Sequence, residues 1–177
     1  MTDYSSATAE FSEDGRYRYY LTRRWDNGRY PIIFALLNPS TATAEIDDPT
    51  IRRCIGYARK WGYGGLIVVN LFALRSPNPE TLYTLDDPVG PENKEYWDKA
   101  IHEARQDALY GEGPGYESPI LSGWGTHGGY MNQDEVALGW LEQRPARALA
   151  LGVTKEKFPR HPLYMRKDAK PTNYLGR

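Results

Sequence analysis

The sequence predicts an α/β fold: a three-layer sandwich about a central, mainly parallel sheet of four strands, with a β-hairpin at its N-terminal side. Three observations carry this prediction. Residues 32–37 and 66–69 are short, unbroken apolar runs, the pattern of strands buried on both faces. Between them lies one amphipathic helical repeat, making a strand–helix–strand unit with a right-handed crossover. Beyond them strand and helix patterns keep alternating, as they do when helices cover both faces of one sheet.

Taken in order, residues 1–15 are polar and expected to fray. Residues 16–25 are rich in tyrosine and arginine and suit a strand, and Asp26-Asn27-Gly28 carries the turn chemistry of a hairpin. The run 32–37 delivers Asn38 and Pro39 to its carboxyl end. Asp48 before Pro49 starts a helix, with a side-chain cap and proline at the first helical position. Ile51, Cys54, Ile55, Ala58 and Trp61 then recur at helical spacing and form one apolar stripe. Residues 62–65 end that helix, and the run 66–69 leads into Asn70. After the loop Ser76-Pro77-Asn78-Pro79, a helix over 91–109 carries Trp97, Ala100, Ile101, Ala104 and Ala108 on its inner stripe. Residues 110–116 are a glycine-rich connector, and 119–122 read as a third strand. The region of Asn132 opens a helix bearing Val136, Trp140 and Leu141, and 146–151 read as the fourth strand.

At 177 residues the chain fits one domain spanning 1–177. No charged segment followed by an apolar one stands near Met1, and no apolar run approaches the roughly 18 residues that cross a bilayer. A membrane is therefore not an expected partner. Cys54 is the only cysteine, so no internal disulfide and no cysteine-built metal cluster can form, which suits a cytoplasmic setting. The formal net charge of −1 gives no global attraction to nucleic acid. Charge is uneven, however. Arg16, Arg18, Arg23, Arg24 and Arg29 near one end, and Arg160, Arg166, Lys167 and Lys170 near the other, form a positive strip if they share a side. The alternative is a mixed, solvated surface.

Three strands end in polar or glycine-rich segments: Asn38-Pro39-Ser40-Thr41, Asn70-Leu71-Phe72, and residues 123–129. In a parallel sheet these ends converge on one edge, which is where ligands bind in such folds. The amides of Asn38 and Asn70 suit reading a nucleobase edge or orienting a water; the alternative is that both cap adjacent helices or turns. The backbone of Gly123, Gly125, Thr126 and His127 is a candidate cradle for phosphate. It lacks the lysine and spacing of a phosphate-binding loop, and no dinucleotide-binding glycine pattern follows a strand, so no nucleotide cofactor is expected. Trp124 is a stacking residue or a core residue. His102 lies on the polar flank of a helix; His127 has a turn role or a site role. His161 stands between Pro159 and Pro162, in a rigid loop rimmed by Arg160, Leu163, Tyr164, Met165 and Arg166, which suits a side chain held toward a ligand. No two histidines have metal-ligand spacing. Asp47-Asp48 and Asp86-Asp87 would need ligands from elsewhere, so no metal is expected.

The segments Leu36-Leu37-Asn38-Pro39-Ser40-Thr41-Ala42, Asp47-Asp48-Pro49-Thr50-Ile51-Arg52-Arg53-Cys54, 64–75 and His161-Pro162-Leu163-Tyr164 closely resemble a bacterial and phage domain-of-unknown-function family, number 1643, over about residues 16–170. A more distant resemblance is to uracil-DNA glycosylases, in four places in the same order. Asn38-Pro39 resembles the motif whose asparagine orients the attacking water. Val69-Asn70-Leu71, with Arg75 beyond, is similar to the strand whose terminal asparagine reads the uracil edge. Ile120-Leu121-Ser122-Gly123-Trp124-Gly125 resembles the later strand and turn before a helix. His161-Pro162 resembles the loop whose histidine stabilises the departing base and whose next residues wedge into the duplex. Leu37 stands where that family has glycine, Ser40 where glycine is common, and Leu163-Tyr164 where a serine follows.

This resemblance implies a uracil-DNA-glycosylase-like fold and a protein that recognises, and excises, an uncommon, damaged or modified base flipped from DNA, in repair or phage defence. Asn38 and His161 would be catalytic. Asn70, Pro39 and Ser40 would bind the base, and Gly123, Gly125, Thr126, His127, Arg160, Leu163, Tyr164 and Arg166 would contact nucleic acid or phosphate. The chemistry fits these residue types. Cleaving a base from its sugar builds positive charge on the sugar and negative charge on the base, so a site needs an oriented water and a donor to the base. Two other readings stand beside it: a non-catalytic nucleic-acid or nucleotide-binding module, and a hydrolase of free nucleosides or nucleotides.

Overall fold

The computed structural model describes residues 3–114, 119–142, 147–174 and 176. Gly115 and Tyr116 of the expected connector, and Ala146 at the start of the expected fourth strand, lie outside the described residues. Strands β1 (Ser6–Phe11), β2 (Arg18–Arg24), β3 (Pro31–Leu36), β4 (Gly65–Asn70), β5 (Ile120–Gly123), β6 (Ala148–Ala150) and β7 (Thr172–Asn173) form one mixed sheet, ordered β1-β2-β4-β3-β5-β6-β7. In its middle, β3 runs parallel to β4 and to β5, and β5 parallel to β6. The pairs β1–β2, β2–β4 and β6–β7 are antiparallel.

The sheet is thus wider than four strands, and the N-terminal hairpin is not where the turn signal placed it. The hairpin joins β1 and β2 across residues 12–17, where Gly15 takes a φ of +70° and its N–H donates to the Ser12 carbonyl at 2.9 Å. Asp26-Asn27-Gly28 makes a local turn, with the Gly28 N–H donating to Asp26 Oδ1 at 2.9 Å, but leads on to β3, which β4 separates from β2. Residues 6–11 are not frayed. Ala7, Ala9 and Phe11 alternate with Ser6, Thr8 and Glu10, a weak period of two that suffices at an edge, where backbone pairing and the Thr8–Thr22 hydroxyl contact at 2.7 Å hold the strand.

Three helices cover the sheet: α1 (Pro49–Lys60), α2 (Asn93–Tyr110) and α3 (Gln133–Glu142). The period of two in β3 and β4 sorts their side chains between layers. Ile32, Phe34, Leu36, Leu66 and Val68 pack with Ile51, Cys54, Ile55 and Ala58 of α1. Ile33, Ala35, Ile67 and Val69 face the other way, into a core with Trp97, Ala100, Ile101 and Ala104 of α2 and Ala137 and Leu141 of α3. Val136, expected in the α3 stripe, is exposed. Among the described residues no helix is long and apolar enough to cross a membrane.

The fold breaks up the N-terminal half of the expected positive strip, leaving Arg16 and Arg29 exposed. Arg18 and Arg23 are buried; Arg24 pairs with Asp107, and Arg29 with Asp26. The arginine-rich strand β2 lies inside the sheet, so its side chains enter packed layers instead of lining one surface.

Candidate functional site

Because β3 and β5 are parallel, the segments that follow them leave the same edge of the sheet. Between these segments lies a cavity of about 680 Å³. Its walls are Leu37, Asn38, Ser40 and Thr41 after β3, Asp48, Pro49 and Thr50 at the start of α1, Ser76, Pro77 and Pro79, residues 124–127 after β5, and Thr154, Arg160, His161, Leu163 and Tyr164. Its volume is in the range of sites for small molecules and single nucleotides.

Asn38 is held by its amide nitrogen, which donates to the carbonyls of Ser76 at 2.9 Å, Pro39 at 3.1 Å and Leu74 at 3.4 Å. Those three acceptors fix the amide orientation. Asn38 Oδ1 has no hydrogen-bond partner among the described residues and is left as an acceptor in the cleft.

His161 caps the short 3-10 turn Pro162–Tyr164, its Nδ1 accepting the Leu163 N–H at 3.3 Å. That bond places the ring proton on Nε2. Burial lowers the His161 pKa to about 4, with the Asp48 carboxylate opposing the shift, so the ring is a neutral donor at pH 7. Pro162, buried against Gly123, sets the approach of this turn. A Cβ on Gly123 would lie 2.6 Å from Pro162 Cδ and 3.2 Å from Leu36 Cδ2.

Asp48 is the residue that sequence reasoning undervalued, reading it as a helix cap and, with Asp47, as an incomplete metal-binding pair. It is a cap: Asp48 Oδ1 accepts the Ile51 N–H at 2.8 Å. It also lines the cleft while 7% exposed, and its Oδ2 has no hydrogen-bond partner among the described residues. A signal was present, because the cap of a helix that follows a parallel strand falls at the carboxyl edge of the sheet, among the ligand-binding loops. The loop carrying it is pinned from behind. Arg23 Nε meets Asp47 at 2.8 Å, Arg23 Nη2 donates to the Thr43 carbonyl at 2.5 Å, and Tyr4 donates to Asp47.

Asn70 is not brought into the cleft. It ends β4 in register with Leu36, two residues short of Asn38, and its side chain is buried against Arg18, whose Nη2 lies 3.5 Å from Asn70 Oδ1. The Asn70 carbonyl accepts from Asn93 Nδ2 and Trp97 Nε1, so α2 seals this end of β4. Arg18 also donates to the Ala42 carbonyl at 3.1 Å. Burial lowers its pKa to about 10, opposed by Asp48, which leaves a buried cation near the cleft.

Of the other expected residues, Ser40, Gly125, Thr126, His127, Arg160, Leu163 and Tyr164 line the cleft with Asn38 and His161. Pro39 and Gly123 are buried beside it, and Arg166 is exposed and paired with Asp168. The glycine segment is a poor phosphate cradle. The Gly125 N–H donates to the Pro159 carbonyl at 2.8 Å and the Gly128 N–H to that of Gly125 at 3.1 Å. Trp124 is buried, its edge on the cleft. His127 takes a site position, its Nδ1 lying 2.7 Å from the Tyr83 hydroxyl. Among the described residues no group of three His, Cys, Asp or Glu side chains is placed to hold a metal ion.

A family model described as a protein of unknown function (DUF1643) matches residues 18–163, a span that takes in nearly all of the cleft. No curated protein and no solved structure matches the chain.

Proposed function

The chain belongs to the DUF1643 family, and we propose that it recognises an uncommon or modified base in a nucleic acid and hydrolyses the bond joining that base to its sugar. One observation carries this reading: a free amide oxygen on Asn38, an unpaired carboxylate oxygen on Asp48 and a neutral His161 line the same cavity. In the proposed reaction a water donates one hydrogen bond to Asn38 Oδ1 and attacks the anomeric carbon, and Asp48 accepts its proton. The carbon–nitrogen bond breaks with its electron pair on the base, and His161 Nε2–H donates to the base oxygen where negative charge gathers. Neutral histidine suits that step, since a protonated one would be held ionised only against the burial that lowers its pKa.

The parallel centre of the sheet, with Asn38-Pro39 and His161-Pro162 meeting at its carboxyl edge, further supports a uracil-DNA-glycosylase-like fold. With Asn70 turned away, selection among bases falls to Ser40 and Thr41, which line the cleft and carry hydroxyls.

The test is a panel of oligonucleotides, each as a single strand and as a duplex, carrying uracil, other deaminated bases, or hydroxymethylated or glucosylated bases. Alkali-labile abasic sites are scored. The proposal expects strand breakage at one class of base. Retention of the oligonucleotides without abasic sites across the panel would leave a binding module instead.

A further inference from the structure

We infer that the cleft takes an unpaired nucleic-acid strand, one base in the cavity and its two neighbours stacked on Tyr83 and Tyr164. This rests on the base-recognition reading above and names its substrate class. Exposed apolar side chains are common singly, but these two rings are presented, each by its own scaffold. Tyr164 is 84% exposed, ends the 3-10 turn that His161 caps, and leans on the His161 ring at a centroid distance of 5.7 Å. Tyr83 is 47% exposed on the 3-10 turn Pro79–Thr84. Its hydroxyl meets His127 Nδ1 at 2.7 Å. Its ring meets Tyr130 edge-on at 4.5 Å, and Tyr130 rests in turn on buried Phe72.

Tyr164 lines the cleft, and Tyr83 stands just outside it, on the turn that begins at Pro79 and against His127, both of which line it from the other side. The Tyr164 turn packs on α1, whereas Tyr83 packs on the segment 126–132 that follows β5. A strand crossing the mouth from one wall to the other therefore meets an aromatic face before and after the cavity. In a duplex those neighbouring bases are paired and stacked on the next base pairs, so turning them onto the two tyrosines would cost that pairing and stacking. Charge points the same way. Among the described residues Arg160 is the only arginine or lysine lining the cleft, against the carboxylate of Asp48, and the arginines of β2 are buried or paired. Such a surface grips phosphate weakly, so stacking, which tolerates any sequence, carries the affinity.

The experiment is fluorescence anisotropy with a labelled strand of about twenty mixed-sequence nucleotides, alone and annealed to its complement. The single strand is expected to bind about tenfold more tightly than the duplex, with a shallow salt dependence. Tyr83→Ala is expected to weaken strand binding about tenfold, Tyr83→Phe to restore it because the ring and not the hydroxyl stacks, and Tyr164→Leu to weaken it similarly. Equal affinity for strand and duplex, or full strand affinity in Tyr83→Ala, would overturn the inference. So would abasic sites formed in duplex oligonucleotides alone, a result that leaves the base-release reading intact. Release from neither form would remove that reading, while stacking on the two tyrosines would still be decided by anisotropy.

Discussion

At neutral pH His161 is uncharged, because burial in the cleft wall holds its pKa near about 4 against an ordinary value of 6.5. The sign of the stability effect follows. Between these two values the unfolded chain binds a proton that the folded chain refuses, so stability is fully present above the unfolded pKa and falls as pH is lowered toward the folded one. Lowering the pH from about 7 to about 4.5 is expected to cost roughly 2 kcal/mol through this one side chain. Urea unfolding of His161→Gln should show a pH dependence shallower by about that amount; parallel curves for variant and wild type would show that the imidazole is not shielded. Asp48 offers a separation of another kind. Asparagine caps a helix as well as aspartate does, so Asp48→Asn keeps the Ile51 contact while removing the proton acceptor. Base release under single turnover is expected to fall about 10²-fold, with α1 retained in far-ultraviolet circular dichroism. An unchanged rate would return Asp48 to a capping role alone.

The elements place these residues through contacts that hydrophobic patterning does not report. β3 and β4 were legible, since the unbroken apolar runs 32–37 and 66–69 coincide with them to within a residue. The start of helix α1 was legible to the residue from Asp48-Pro49. The edge strands were not. β1 is a polar hexapeptide whose stability lies in pairing with β2, and β7 is two exposed residues against β6. Nor does a turn signal say which strands it joins: Asp26-Asn27-Gly28 turns the chain, but β4 takes the place beside β2 through contacts more than forty residues away. The approach of the Pro162 turn to β5 is a further long-range fact, and the glycine it requires, Gly123, reads in the sequence as part of a phosphate cradle instead. Gly123→Ala would push Pro162 outward, and Pro162, rigid and buried, can yield only by moving His161. A destabilisation of about 1–3 kcal/mol in urea is expected, together with slower base release. If both were unchanged, the turn would be less tightly set than its packing indicates.

Over the whole molecule, the parallel centre of the sheet creates the cleft and decides which residues share it. The sequence was legible to the extent that it brought Asn38, Ser40, Thr126, His127 and His161 to one edge; it misled where two strand-ending asparagines at different heights had to be told apart. Asn70 and Asn38 both end strands, but Asn70 pairs with Leu36 and stops one pleat short, so its amide turns to buried Arg18. How far a strand end reaches toward the edge of the sheet depends on register, which a single sequence does not display. Asp48 was undervalued for a related reason, since one carboxylate performs a local task and still presents an oxygen to the cleft. The central claim is that this cleft performs chemistry on a bound base instead of only holding it, and Asn38→Ala tests it most directly. Equilibrium affinity and single-turnover base release are measured for wild type and variant on the same oligonucleotide. An oriented water matters in the transition state, so the account predicts a rate lower by about 10²-fold with affinity kept within about twofold. Lost affinity with an unchanged rate at saturation would contradict it.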